Sequence, residues 1–363
     1  MILTVYGTTG ELIKLAPLLA RLRDRGHGYL SATTGQQVQQ IPVFLDAFEL
    51  PPPDLWLARG AGGRDLRSSR DIPAWTATVT AAFVRRSLGL RRELRRGPGR
   101  PLVLVHGDTM TTVLGALMGR ALGVSVAHVE AGLRSFDLRN PFPEELNRRL
   151  ASRLASIHYA PGAWAAGNLR RGRVVDTGSN TIRDSLALAA AAPPPVGLPE
   201  PPFGVVSLHR FELLNDRRLL SETIELLAEH ARIAPLLFVD HPVTVAALVR
   251  FRLERLFDPA RFVRMPRMTF MDFVPVVRQA AFVFTDSGGS QEECYYLDIP
   301  CLVHRRTTER REGLEENVLL SRYDTGVVRS FLADPSRFRR RQALAPGSPS
   351  DVIVADLEAA GFV

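Results

Sequence analysis

The chain is expected to be an α/β protein of two domains, and three observations predict this. Short apolar runs alternate with longer helix-compatible segments along its 363 residues. Such strand–helix alternation implies parallel sheets covered on both faces. The alternation comes in two series, separated by Ala191-Ala192-Pro193-Pro194-Pro195-Val196-Gly197-Leu198-Pro199-Glu200-Pro201-Pro202. That stretch continues neither a helix nor a central strand. The length agrees, at roughly 100–200 residues per domain.

The first series places strands at 2–6, 28–33, 102–106, 124–129, 157–160 and 173–176, and helices at 10–25, 72–95, 110–122, 143–155 and 162–170. The second places strands at 204–208, 235–239, 261–264, 281–285 and 300–303, and helices at 215–232, 242–256, 269–279 and 289–297. The division expected is 1–170 and 171–349, with a final helix in 350–363 packing back on the first domain. Residues 60–63 and 344–349 read as mobile loops. Ligands of such folds bind at the carboxyl ends of the strands, and a cleft between two facing domains is the default site.

Composition excludes several classes. No apolar run approaches the roughly 20 residues of a membrane span. The opening residues read as a strand rather than a signal peptide, and two cysteines, Cys294 and Cys301, give no disulfide framework. A cytoplasmic location is expected. The net charge of +8 comes almost wholly from arginine, Lys14 being the only lysine. Arginine runs such as Arg91-Arg92 and Arg339-Arg340-Arg341 read as solvated faces. No zinc-finger, helix-turn-helix or aromatic–basic pattern indicates nucleic acid. Basic charge also attracts a doubly anionic substrate.

The most informative stretch is Asp286-Ser287-Gly288-Gly289-Ser290-Gln291-Glu292-Glu293, between an apolar run and a helix-compatible run. Backbone N–H groups at a helix start lack partners within the helix and carry the positive end of its dipole, which suits a phosphate. Glu293, about one and a half turns in, is placed to receive two ribose hydroxyls. A bound sugar nucleotide is the expectation.

Other polar residues follow strand ends. Gly7-Thr8-Thr9-Gly10-Glu11 precedes a helix bearing Lys14; it fits a ligand loop or a plain tight turn. Asp108 serves chemistry or caps the next helix. Glu130 ends a buried strand, which is costly for a carboxylate unless it is paired. Arg134, four residues on, is a candidate ion-pair partner. Pro143-Glu144-Glu145 opens a helix in an ordinary way. His209-Arg210 and Arg305-Arg306 are candidates for anion contact. There is no metal-ligand spacing, nucleophile elbow, P-loop or CxxC. What remains is proton transfer by carboxylates and His beside a phosphate pocket.

The chain resembles the non-hydrolysing UDP-N-acetylglucosamine 2-epimerase family along essentially its whole length. The ordered motifs are Gly107-Asp108-Thr109, His128-Val129-Glu130-Ala131-Gly132-Leu133-Arg134, Pro143-Glu144-Glu145-Leu146-Asn147-Arg148 (after Asn140-Pro141-Phe142), Asp286 to Glu293, and Thr307-Thr308-Glu309-Arg310. The resemblance implies two Rossmann-like domains facing across a cleft (GT-B-like). It also implies elimination of UDP to a 2-acetamidoglucal, followed by re-addition after protonation from the other face. Asp108, Glu130, Glu144 and His209 are then the implied catalytic residues. Lys14, Arg134, Arg210, Phe273, Ser287, Gly288, Gly289, Glu293 and Arg310 are the implied substrate contacts, with Phe273 at the uridine. No cofactor, metal or nicotinamide is implied. The expected partners are a UDP-sugar and a second copy of the chain, with no nucleic acid and no membrane.

Some positions depart from the family. Its opening Gly-Thr-Arg-Pro-Glu is here Gly7-Thr8-Thr9-Gly10-Glu11, without the arginine that helps hold UDP; Lys14 is kept. Its His-Arg-Arg-Glu-Asn is His209-Arg210-Phe211-Glu212-Leu213, and its Gly-Gln-His is Gly35-Gln36-Gln37, in a region that binds a second, activating UDP-N-acetylglucosamine in bacterial members. The family's glycine after the Thr-Glu-Arg segment is replaced near Asn317. One missing charge-assisted contact costs about 1.5–3 kcal/mol. The expectation is a divergent, pathway-specific epimerase without substrate activation. The alternatives are a hydrolysing enzyme releasing free N-acetylmannosamine or a modified sugar, a non-catalytic sugar-nucleotide sensor, and a glycosyltransferase.

Overall fold

The computed structural model describes residues 1–66, 68–137, 142–308 and 310–363. The chain divides into two compact units, Met1–Ser185 with Pro346–Val363, and Leu186–Ala345.

The first unit runs β1 (Ile2–Tyr6), α1 (Thr9–Asp24), β2 (Tyr29–Thr33), α2 (Gln40–Ala47), β3 (Leu55–Trp56), α3 (Ile72–Arg96), β4 (Leu102–His106) and α4 (Met110–Leu122). It continues with β5 (Ser125–Val129), α5 (Glu144–Leu154), β6 (Ile157–Ala160), α6 (Ala163–Gly167) and β7 (Arg173–Asp176), and α7 (Ile182–Ala189) leads out of it. Its sheet has the order β3-β2-β1-β4-β5-β6-β7, and every pairing is parallel. The second unit has β8 (Gly204–Ser207), α8 (Phe211–Leu214), α9 (Arg217–Ala231), β9 (Leu236–Asp240), α10 (Pro242–Phe251), β10 (Phe262–Pro266) and α11 (Phe270–Gln279). After these come β11 (Phe282–Thr285), α12 (Gly288–Leu297), β12 (Cys301–Val303), β13 (Val318–Leu320) and α13 (Thr325–Ala333). Its parallel sheet is ordered β10-β9-β8-β11-β12-β13. Both orders reverse direction beside the first strand, the Rossmann arrangement, and each reversal opens a crevice at the strands' carboxyl ends.

Alternation along the strands builds the layers. Val206, Phe238, Phe282, Phe284 and Leu302 join one core of the second unit. Val205, Leu237, Val239, Val283 and Cys301 join the other. Neighbours in sequence therefore face opposite sides, and the runs are apolar because both faces are covered. In the first unit α4 lies close on the sheet through two glycines. A Cβ at Gly115 would stand 2.7 Å from Val105 Cγ1, and one at Gly119 would stand 2.5 Å from Val126 Cγ2.

Several short elements were not expected: α2, β3, α7, α8, β13 and α13. The unit boundary falls at 185/186, and β7 pairs with β6 and completes the first sheet. The expected helix 242–256 stops at Phe251, where Arg252 adopts φ +58°. Residues 60–63 form a turn closed by a bridge between Ala61 and Arg64. The last helix, α14 (Pro349–Ala359), belongs to the first unit. It packs with Ile353 and Leu357 fully buried, and its Asp351 and Glu358 meet Arg21 at 3.0 Å and His27 at 2.8 Å. Among the described residues no helix is long and apolar enough to cross a membrane.

The approach of α4 sets two effects against each other in Gly115→Ala. Helix propensity favours alanine by about 1 kcal/mol; overpacking against valines costs about 1–3 kcal/mol. Branched valines yield little, so a net loss of stability in urea unfolding is expected, and a gain would contradict the close packing.

Candidate functional site

In the first unit the turns after β1 and β4 meet at the crevice. Thr8 caps α1, accepting from the backbone N–H of Glu11. Glu11 Oε2 accepts from the backbone N–H of Gly7 at 2.8 Å and of Thr8 at 2.9 Å, while its Oε1 accepts from Thr109 Oγ1 at 2.6 Å. Burial pushes the Glu11 carboxyl up, and these hydrogen bonds pull it back. One carboxylate thus ties both ligand-facing turns together. Thr109, not Asp108, is the N-cap of α4, which leaves the Asp108 side chain for other work.

Asp108 and Glu144 line one pocket of about 390 Å³, together with Gln36, Thr109, Pro143 and Asn147. Arg148 Nη2 donates to Asp108 Oδ2, and Asn147 Nδ2 donates to the Asp108 carbonyl at 2.9 Å. Both donors lie on α5, so the helix that carries Glu144 also holds Asp108. The two adjacent glutamates differ sharply. Glu145 is fully buried and accepts from Ser135 N and Arg149 Nε, each at 2.9 Å. Glu144 has a buried Oε2 without a hydrogen-bond partner among the described residues. Glu145 is bonded through both oxygens, and Glu144 keeps an unpartnered one among the described residues.

Glu130 follows β5 with a left-handed backbone, φ +61°. Its partner is Lys14 of α1 rather than Arg134, with Asn180 Nδ2 donating to the same oxygen and His106 Nε2 at 3.7 Å. Arg134 donates instead to the Leu133 carbonyl at 2.7 Å and to Ser152 Oγ at 3.0 Å. The left-handed residue turns Glu130 toward α1, and the chain leaves in another direction through Gly132 at φ +89°. At the departures from the family, Gln37 Oε1 accepts from Thr9 N at 2.7 Å and from Thr9 Oγ1 at 2.9 Å. Both donors of Thr9 thus converge on one oxygen of Gln37.

In the second unit the turns after β8 and β11 meet in the same way. Asp286 is fully buried and accepts from the backbone N–H of His209, at 2.9 and 3.0 Å, and of Arg210, at 2.8 Å. Burial raises its carboxyl to about 6 against the pull of these bonds. Ser287 caps α12, accepting from Ser290 N at 3.3 Å, and Gly288 and Gly289 form the helix's first turn. A Cβ at Gly289 would meet only Ser287 Oγ, at 3.5 Å, so this end of α12 is open to a ligand. Glu293 is half-buried on α12. Phe273, on α11, packs half-buried against the second unit's core. Arg310 is held at α12 by Glu292, Nη1 to Oε2 at 2.8 Å, and Gln291 Nε2 donates to the Glu312 carbonyl at 3.0 Å. Asn140, Pro141 and Glu309 lie outside the described residues.

His209 stacks on His241, with ring centroids 4.7 Å apart, and His241 Nε2 bonds to Ser207 Oγ at 3.0 Å. Burial lowers both imidazoles to about 4, and the positive charge of Arg267 pushes the same way. The pair is therefore neutral near pH 7. Reading the sequence missed three residues: Glu11, Arg148 and Asn180. The first two stand inside the motifs, but their importance lies in contacts between distant turns.

Two parallel units of this order define a GT-B-like α/β protein, one unit with a carboxylate pocket and the other with a glycine-rich helix start. Residues 95–330 match the family described as UDP-N-acetylglucosamine 2-epimerase. A UDP-N-acetylglucosamine 2-epimerase of Bacillus subtilis is 32% identical over 98% of this chain and 94% of its own length. The structure of UDP-GlcNAc 2-epimerase from Neisseria meningitidis bound to UDP-GlcNAc superposes with a TM-score of 0.79 at 25% identity, covering 99% of each chain. A UDP-glucosyltransferase of Polygonum tinctorium, at 15% identity and a TM-score of 0.61 over 98% of each chain, shares the fold alone. The chain belongs to the UDP-N-acetylglucosamine 2-epimerase family.

The His209–His241 pair gives a pH dependence with a definite sign. In the unfolded chain both rings titrate near 6.5, so the folded values are depressed. The stability they contribute is fully present above about pH 6.5 and is lost as pH falls through about 4. NMR titration of the two imidazoles is expected to show midpoints near 4; midpoints above 6 would contradict the neutral pair.

Proposed function

We propose that this protein interconverts UDP-N-acetylglucosamine and UDP-N-acetylmannosamine by elimination and re-addition of UDP. A base takes the C2 proton, the bond from C1 to the UDP oxygen breaks, and a C1–C2 double bond forms. Protonation of C2 from the opposite face and return of the UDP oxygen to C1 give the epimer. The proposed acid–base groups are Asp108, Glu130 and Glu144. The diphosphate is assigned to His209, Arg210, Ser287, Gly288, Gly289 and Arg310, the ribose to Glu293, and the uracil surroundings to Phe273. Lys14 and Arg148 position Glu130 and Asp108.

The observation that carries this reading is the pocket shared by Asp108 and Glu144. Two carboxylates opening on one space, one with an unpartnered buried oxygen, suit a reaction that needs a proton removed and another returned. The glycine-rich start of α12 supports the diphosphate assignment. The Thr9–Gln37 pair supports loss of substrate activation, because Gln37 Oε1 takes both Thr9 donors where the family has Arg and His. A cytoplasmic homodimer is proposed as the working form.

Proton NMR of the product mixture tests the reaction. A UDP-linked manno sugar is expected, whereas a free sugar would favour hydrolysis. Asp108→Asn is expected to lower kcat about 10²- to 10⁴-fold with little change in KM; unchanged turnover would remove Asp108 from the chemistry. Rate against UDP-N-acetylglucosamine concentration is expected to be hyperbolic, and a sigmoidal curve would contradict the lost activation.

A further inference from the structure

The first unit carries a second cavity, in which the epimerase resemblance uses Arg134 but none of the other arginines. Its volume is about 510 Å³, and half of the ten described residues that line it are arginines: Arg134, Arg149, Arg153, Arg170 and Arg171. Among the described residues the lining holds no carboxylate. Glu145 reaches Arg149 from outside it, at 2.9 Å. Among the described residues Arg134 bonds only to neutral groups, the Leu133 carbonyl and Ser152 Oγ. Among the described residues no carboxylate pairs with Arg153, Arg170 or Arg171. Burial lowers the Arg134 guanidinium; Glu145 opposes this, and Arg149 and Arg148 add to it.

This arrangement differs from an ordinary basic face. Solvated arginines on one helix spread apart and take up carboxylate neighbours at i±3 or i±4. Here three chain segments converge: the turn after β5, the end of α5, and the link from α6 to β7. Like charges brought together around a concave space repel one another, and a multiply charged anion would offset that repulsion. Guanidinium forks match phosphate oxygens two at a time. The volume suits a small organic ligand. Phe136 stands at the same cavity, 66% exposed, with its ring edge-on to Trp164 at 6.5 Å. It offers a flat apolar face beside the charges.

We propose that this arginine-lined cavity is a binding site for a diphosphate anion, separate from the pocket of Asp108 and Glu144. It does not depend on the epimerase reading. The site is formed by Arg134, Arg149, Arg153, Arg170 and Arg171, with Phe136 facing any ring attached to the diphosphate.

Calorimetric titration of the full chain at constant ionic strength tests this, with inorganic pyrophosphate and ADP as probes. Saturable pyrophosphate binding is expected, weakened at least tenfold by the double substitution Arg153→Ala/Arg170→Ala. Ser287→Ala should leave that component unchanged. Tighter binding of ADP than of pyrophosphate would support the site with a ring contact at Phe136; equal binding would support it for the diphosphate alone. Thermal melts check that the variants fold, and turnover of UDP-N-acetylglucosamine by the double variant should match that of the parent. Three outcomes would overturn the proposal: no saturable binding, binding matched by chloride at the same ionic strength, or binding unaffected by the arginine changes and abolished by Ser287→Ala.

Discussion

The first unit depends on how a carboxylate is kept inside it. Glu130 is buried at the end of a central parallel strand, where a lone charge would be expensive. Lys14, the only lysine in the chain, reaches it from α1, and Asn180 adds a hydrogen bond. Removing one member of such a pair typically costs about 3–5 kcal/mol, because the other is left buried and uncompensated. The pair also fixes geometry: it ties the first helix of the unit to the strand end where chemistry is proposed, and it draws in the segment between β7 and α7. Asp108 is treated likewise, held by Arg148 from the helix that presents Glu144. Each proposed acid–base group thus has its position set by a cation, or by the helix bearing that cation.

The second unit solves a related problem by different means. Asp286 is buried, and the nearby imidazole of His209, at 3.6 Å, is neutral. Backbone N–H groups of His209 and Arg210 hold it instead, and they fold the turn after β8 against the start of α12. Burial outweighs those bonds, which is why its carboxyl is raised to about 6. The result is a rigid, cation-edged helix start with small residues at its tip. In both units a buried acid draws together the two turns that flank the reversal of strand order. That is the crevice where parallel sheets of this kind take their ligands.

Much of this was legible in the sequence. Long buried strands announce themselves by apolar runs, and the proline-rich stretch announced the second series. Elements of two or three residues, such as β3 and β13, give no periodic signal. Their strand character comes from pairing with neighbours already in place. β7 was found as the last strand of the first series, but its pairing with β6 was not read, since adjacency in a sheet is a tertiary fact. The site shows the same division. Asp108, Glu130 and Glu144 stand in recognisable motifs at strand ends and a helix start. Their partners do not: Lys14 lies 116 residues from Glu130 and Asn180 lies 50 away. Sequence proximity suggested Arg134 for Glu130, but a left-handed backbone at Glu130 and at Gly132 turns the two apart. The contrast between Glu144 and Glu145 also needed coordinates, because side by side on a helix start the two residues look equivalent.

Solvent exchange at C2 tests the central claim most directly, that carboxylates of the first unit remove and return a proton on the sugar. UDP-N-acetylglucosamine is incubated with the protein in deuterated water, and the recovered UDP-sugars are examined by mass spectrometry and proton NMR. Deuterium at C2 of the epimerised product is expected, with incorporation lost when Glu130→Gln is used in place of the parent protein. An epimerised product that keeps its original C2 hydrogen would contradict proton transfer with solvent-exchangeable carboxylates.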